Sequence, residues 1–190
     1  DVSVNVSSST ITANEDETDG ESGAIEISTN KANTVTAQAV NIAGGLIGGA
    51  GMGATVSDSG SSTIGLTGNT MQTDNSIDVT ANTNSTLSAD IVNSGAGWFG
   101  SGAVSVAAIN AGTADDHMKT AVTIGSGNTF AADDTRFAAN SNISESMDMD
   151  ALAISGYYTA GGNATTSNAY ADATVTADAN NTYKGADEDE

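Results

Sequence analysis

Asp115-Asp116, Asp133-Asp134 and Asp148-Met149-Asp150 are short acidic runs, and "NEDETDGE" from Asn14 adds Asp16, Asp19 and Glu21. Carboxylates gathered in or beside turns are hard oxygen ligands of the kind calcium takes. These nine residues are therefore the candidate calcium ligands, and calcium is the one cofactor the sequence brings forward. Neither the EF-hand spacing nor the glycine-rich nonapeptide of calcium β-rolls is present. The competing reading of the same runs is a solvated acidic face, which keeps a chain soluble and stops lateral sticking.

Catalysis is not expected. Cleavage of a polysaccharide needs carboxylates gathered with a basic residue or a histidine on one face. Here His117 is the only histidine and Arg136 the only arginine, and they fall in different turns. A Ser-His-Asp arrangement would depend on that one histidine, and no GxSxG elbow accompanies it. The absence of cysteine removes disulfides, thiolate metal sites and thiol nucleophiles. Twenty-four acidic against four basic residues give a formal charge of −20. That balance argues against nucleic acid or an anionic membrane face as partner. No stretch approaches the roughly eighteen apolar residues of a spanning helix, so membrane insertion is not expected. The first residue is Asp1, which reads as a processed or excised chain.

The elements that would carry these residues read as strands. "SVNVSSSTITA", "NTVTAQAVNI", "AVSVAAIN" and "AYADATVTA" alternate small apolar with polar residues at period two. Between them lie Gly, Asn, Asp and Ser clusters such as "SDSGS" and "GTADDHM", which are turn chemistry. No segment shows the 3.6-residue period of an amphipathic helix.

The pattern also repeats. "TIGLTGNTM" from Thr63, "TIGSGNTF" from Thr123 and "TADANNTY" from Thr176 each close on Asn-Thr and a bulky residue: Met71, Phe130 and Tyr183. "SSTITAN" from Ser8 matches "SSTIGLTGN" from Ser61, which spaces Ile11 from Ile64 by 53 residues. Ile64 and Ile124 lie 60 apart, and Phe130 and Tyr183 lie 53 apart. Strand and turn repeated at a long period predict an all-β parallel β-solenoid of about three tandem repeats of 53 to 60 residues. The expectation is one domain over 1–190, with units near 1–53, 54–112 and 113–172 and a partial unit at 173–190. A β-sandwich fits less well, because the chain repeats itself and lacks a large aromatic core. A β-propeller would show Trp-Asp or Gly-His marks in each blade, and none recur.

Leu46-Ile47, Trp98-Phe99 and Tyr157-Tyr158 are a bulky pair set in glycine at one position of the repeat. Neighbours on a strand point to opposite faces, so one member of each pair is expected in the core and the other outside. The six residues form either a core-filling ladder or an outward stripe that meets a neighbouring subunit or a sugar face.

The segments "NIAGGLIGGAGMGATV", "NSGAGWFGSGAVSVAAIN" and "TAVTIGSGNTF" resemble the tandem repeats of large bacterial filamentous adhesins and haemagglutinin-like exoproteins. The resemblance implies a secreted or cell-surface β-solenoid stalk with no catalytic residues. Apart from that resemblance, a solenoid has open ends whose strands carry unpaired backbone groups. Val2, Val4, Val6 and Ile11 at one end and Tyr183 at the other are the candidate residues for pairing between subunits. The expected function is an extracellular structural subunit joined head to tail into a homopolymeric filament. The alternative is a monomeric calcium- or glycan-binding module, with a cell-surface glycan as its partner.

Overall fold

The computed structural model describes residues 1–13 and 23–185, and among them there is no helix. Asp16, Asp19 and Glu21 lie outside the described residues. Within the described residues the alternating stretches form twelve strands. They are β1 (Val2–Ser7), β2 (Thr10–Ala13), β3 (Ile25–Asp58), β4 (Ser61–Thr67), β5 (Thr70–Thr73) and β6 (Ser76–Ala111). Then follow β7 (Met118–Ile124), β8 (Thr129–Ala131), β9 (Asp134–Ser155), β10 (Thr159–Ala169), β11 (Ala171–Ala177) and β12 (Thr182–Lys184).

Among the described residues all pairing is parallel, in three sheets that the chain visits in a fixed order. The first sheet runs β1-β4-β7-β11 and the second β2-β5-β8-β12. In the third, β6 is flanked by β3 on one side and by β9 and β10 on the other. Each return to a sheet lays the new strand beside the previous one, so inward residues stack on inward residues.

The register differs from the sequence alignment at the start of the chain. Ile11 pairs with Met71, and Ile64 pairs with Val4. Ser9 is thereby matched to Asn69 at a separation of 60 residues, Asn69 to Asn128 at 59, and Asn128 to Asn181 at 53. Ile64 likewise faces Val122, while Ile124 faces Leu66. What fixes the register is the turn between the first two sheets. Ser8, Gly68, Gly127 and Asn180 all have φ between 49° and 81°, the left-handed region that redirects the chain. Asn follows in three of the four turns, then Thr, then a large inward side chain. The "SSTI" at Ser8 is thus a variant of "GNTM", and its identity with "SSTI" at Ser61 is a coincidence of Ser/Thr-rich composition. The unit border expected at residue 53 falls inside β3.

The third sheet is built from arches. Asn93 Nδ2 donates to Val104 O at 2.8 Å, and Gly95 faces Gly102 as Gly97 faces Gly100. β6 therefore reverses at Trp98-Phe99 and returns antiparallel to itself, its two arms meeting through their side-chain faces. Inside the arch lie Leu87, Ala89 and Ile91 from one arm and Ala107, Ile109 and Ala111 from the other. Toward the tip the inward residues shrink to Asn93, Gly95 and Gly97 against Ser105, Ala103 and Ser101, so the two arms converge like a wedge. A second apolar cluster sits where the three sheets meet, with Ile64, Leu66, Met71, Ile77, Val79, Val122, Ile124 and Phe130 at its centre. Hydroxyl pairs lie between the two clusters: Ser62 Oγ to Thr29 Oγ1 at 2.9 Å and Thr120 Oγ1 to Thr83 Oγ1 at 2.7 Å.

Candidate functional site

At the wedge tip the backbone arms leave no room for a side chain between them. A Cβ on Gly97 would come within 2.7 Å of the Gly48 amide nitrogen and would collide with the Gly100 carbonyl. The bulky pairs that make the reversal are consequently forced outward. All six are exposed, from 60 % for Phe99 to 80 % for Ile47, with Trp98 at 74 %. The core-filling reading of Leu46, Ile47, Trp98, Phe99, Tyr157 and Tyr158 is therefore corrected. They form a stripe along the outer edge of the arches, with Phe99 and Tyr157 stacked at 5.9 Å. Strand alternation does not apply to them, because the pairs occupy the bend. The register shifts between Gly45 and Ile47, where Leu46 alone answers both Trp98 and Phe99. Beside the stripe, a trough of about 440 Å³ is floored by Gly44, Ala96 and Gly97 and walled by Trp98 and Ile154.

The strand edges are the second candidate surface. Among the described residues, β1, β2 and β3 pair on one side only, as do β9, β10, β11 and β12 at the opposite end. Val4, Val6 and Ile11 pack half-buried against the junction cluster, while Val2 is more open. Tyr183 stacks on Phe130 at 5.4 Å and meets Phe137 edge-on at 6.3 Å. Val2, Val4, Val6, Ile11 and Tyr183 each stand on a terminal strand, which among the described residues is paired only on its inner side.

The acidic residues are not brought together. Asp115 and Asp116 lie in the turn before β7, Asp133 and Asp134 at the start of β9, and Asp148 and Asp150 on the outer face of β9. Among the described residues no three carboxylate or imidazole groups converge on one point. His117 Nδ1 lies 3.1 Å from Asp172 Oδ2 on the surface, and its ring stacks on Tyr170 at 5.6 Å.

Three charged residues sit where the sequence reading did not place them. Lys31 and Asp58 are buried in the mouth of the first arch, with Lys31 Nζ 3.1 Å from the Asp58 carboxylate. Burial alone would raise the Asp58 carboxyl. Hydrogen bonds from Ser85, Asn33 and Lys31, together with the Lys31 charge, outweigh it and hold the group below the ordinary carboxylate value. Glu145 points into the third arch, at the position of Leu87 in the second and Val35 in the first. A signal was present in the sequence: in "NISESMDMDALAI" Glu145 falls in the apolar phase with Ile143, Met147 and Met149, whereas Asp148 and Asp150 fall in the polar phase.

These features define an all-β protein of stacked parallel sheets with an exposed apolar edge and terminal strands paired on one side. Comparison of the chain with family models, with curated proteins and with solved structures returned no match.

Proposed function

We propose that the chain is a β-solenoid of the kind used in large bacterial filamentous adhesins. On this reading it is an extracellular structural protein that pairs strand to strand with further copies to form a surface filament. The observation that carries the proposal is the pair of unpaired parallel edges, β1-β2-β3 at one end and β9 to β12 at the other. An exposed parallel edge is a template for another strand. The same sheets recur at both ends, so one contact, repeated, grows without closing. The net charge of −20 makes neighbouring rods repel and limits side-to-side bundling. Negative-stain electron microscopy at rising concentration, at neutral and at acidic pH, tests the proposal. Uniform fibres are expected, and removal of residues 1–13, which carry β1 and β2, should abolish them. Fibres that persist without those residues would overturn it.

The aromatic stripe favours a second reading, in which the same rod binds a glycan along its edge. Flat rings such as Trp98, Phe99 and Tyr157 offer apolar faces to the C–H face of a sugar ring. Saturable change of Trp98 fluorescence with a soluble polysaccharide, lost in Phe99→Ala, would support it. No change across neutral, acidic and amino polysaccharides would dismiss it.

A further inference from the structure

The two ends of the stack are chemically unequal. At the β3 end the apolar inward side chains of the arch, beyond the Lys31–Asp58 mouth, are Val35, Ala37, Ala39, Met52, Ala54 and Val56. At the other end four of the six equivalent positions are polar: Ile109 is answered by Ser167, Ala107 by Thr165, Ser105 by Asn163 and Leu87 by Glu145, while Ala89 and Ile91 are answered by Met147 and Met149. Ser167 Oγ donates to Glu145 Oε2 across the arch, while Oε1 is buried with no hydrogen-bond partner. An inward-pointing charge on an edge strand is a known means of refusing another strand.

We propose that Glu145 gates end-to-end association: ionised, it closes the β9-β10 edge to the β3 edge of a second copy, and protonated, it opens that edge. The inference rests on the end-pairing reading above. If the observed register continues from copy to copy, Val35 of the incoming β3 lands on Glu145, as Val35 already faces Leu87. The carboxylate would then be sealed under an aliphatic side chain with no cation to meet it, and desolvation of an unpaired charge opposes that strongly. The incoming Lys31 lands on Ser141, about 13 Å away along the strand, and is already held by Asp58.

Among the described residues no titratable group neutralises Glu145. Opposite it on β6 stand Ser85, Leu87 and Ala89, beside it on β9 Ile143 and Met147, and across the arch Ser167. Arg136, Asp148 and Asp150 of β9, Lys119 of β7 and Asp172 of β11 point outward. A protonated Glu145 keeps a hydrogen bond with Ser167 and carries no charge, so the arch can then be covered.

The test compares the full chain with Glu145→Leu, which restores the residue type of the second arch, and the near-isosteric Glu145→Gln. Asp150→Asn is the control, since it removes the same charge from the outer face of the same strand. Assembly is followed by sedimentation velocity and electron microscopy between about pH 7 and about pH 4, the span over which carboxylates protonate. The unaltered chain should associate only on acidification. Both Glu145 variants should associate at neutral pH at concentrations at least about tenfold lower, and Asp150→Asn should behave as the unaltered chain. Fibres that form at neutral pH equally in all four proteins, or in Asp150→Asn as readily as in Glu145→Gln, would overturn the gate and leave end pairing standing. If no protein forms fibres at any pH, end pairing itself fails and the gate with it.

Discussion

Lys31 Nζ stands 3.1 Å from both carboxylate oxygens of Asp58, and both side chains are almost wholly removed from water. The pair ties the first arm of the first arch to the end of the second, with Asn33 and Ser85 satisfying the remaining carboxylate valences. In the second arch the same positions are Thr83 and Ala111, and in the third Ser141 and Ala169. The fold therefore closes an arch mouth with or without an ion pair.

Removing one partner should be costly and removing both should not. Asp58→Ala strands a buried ammonium and should lower unfolding free energy by about 3–5 kcal/mol. The double change Lys31→Thr with Asp58→Ala copies the second arch and should return stability to within about 1.5 kcal/mol of the parent. Urea denaturation of the three proteins measures both values, and equal losses in the single and double variants would contradict the argument.

The depressed Asp58 carboxyl gives stability a sign in pH. A group whose folded value lies below its unfolded one adds stability that is present above the unfolded value and lost as pH falls through the folded one. The parent should therefore lose stability on acidification below the ordinary carboxylate range, about pH 4. The double variant should lose less over the same interval. Thermal melts of both proteins across that range, at a concentration where each is monomeric, provide the check.

Tip glycines differ from face glycines. Gly95 and Gly97 have backbone in the path of a Cβ, whereas Gly49 has nothing within 4 Å. Gly97→Val should destabilise by about 2 kcal/mol or more, as overpacking does. Gly49→Val should be neutral or slightly stabilising, because it lowers the entropy of the unfolded strand. Chemical denaturation distinguishes the two, and similar effects at both positions would refute a pinched tip.

The asparagine ladder should be cooperative along the stack. Asn128 Oδ1 accepts from the backbone and side chain of Asn69, while its Nδ2 donates to Gly125 O at 2.7 Å and to Asn181 Oδ1 at 3.0 Å. Asn128→Ala leaves the buried Asn69 amide without its acceptor and should cost about 1–3 kcal/mol. Amide hydrogen exchange should quicken at Asn69 as well as at residue 128. Exchange altered only at 128 would mean that the ladder is decorative.

Trp98 offers the simplest test of the arch. Because its ring is exposed, Trp98→Ser should change stability by no more than about 0.5 kcal/mol, and the parent's fluorescence should be that of a hydrated indole. A blue-shifted emission, or a large loss of stability in the monomer, would place the ring in a core after all.

Strand content, turn positions and the equivalence of Phe130 and Tyr183 were legible because period-two alternation and the Asn-Thr-bulky mark are local signals. The first repeat was misaligned because Ser8-Ser9 performs the turn that Gly-Asn performs elsewhere, and φ is not written in residue identity. Lys31, Asp58 and Glu145 were missed for a related reason. In strands of small residues both faces are nearly equally apolar, so one charge in the inward phase does not stand out.

Residue order by itself determined that this chain would form parallel-stacked strands broken by polar turns, since alternation, absent proline and clustered Gly, Asn and Asp leave little else open. Only the tertiary structure decided which face is inside, where the long strands reverse, and that six bulky side chains are expelled at the reversal. Those outcomes depend on how closely the two arms of one arch approach each other, and no local pattern encodes that distance.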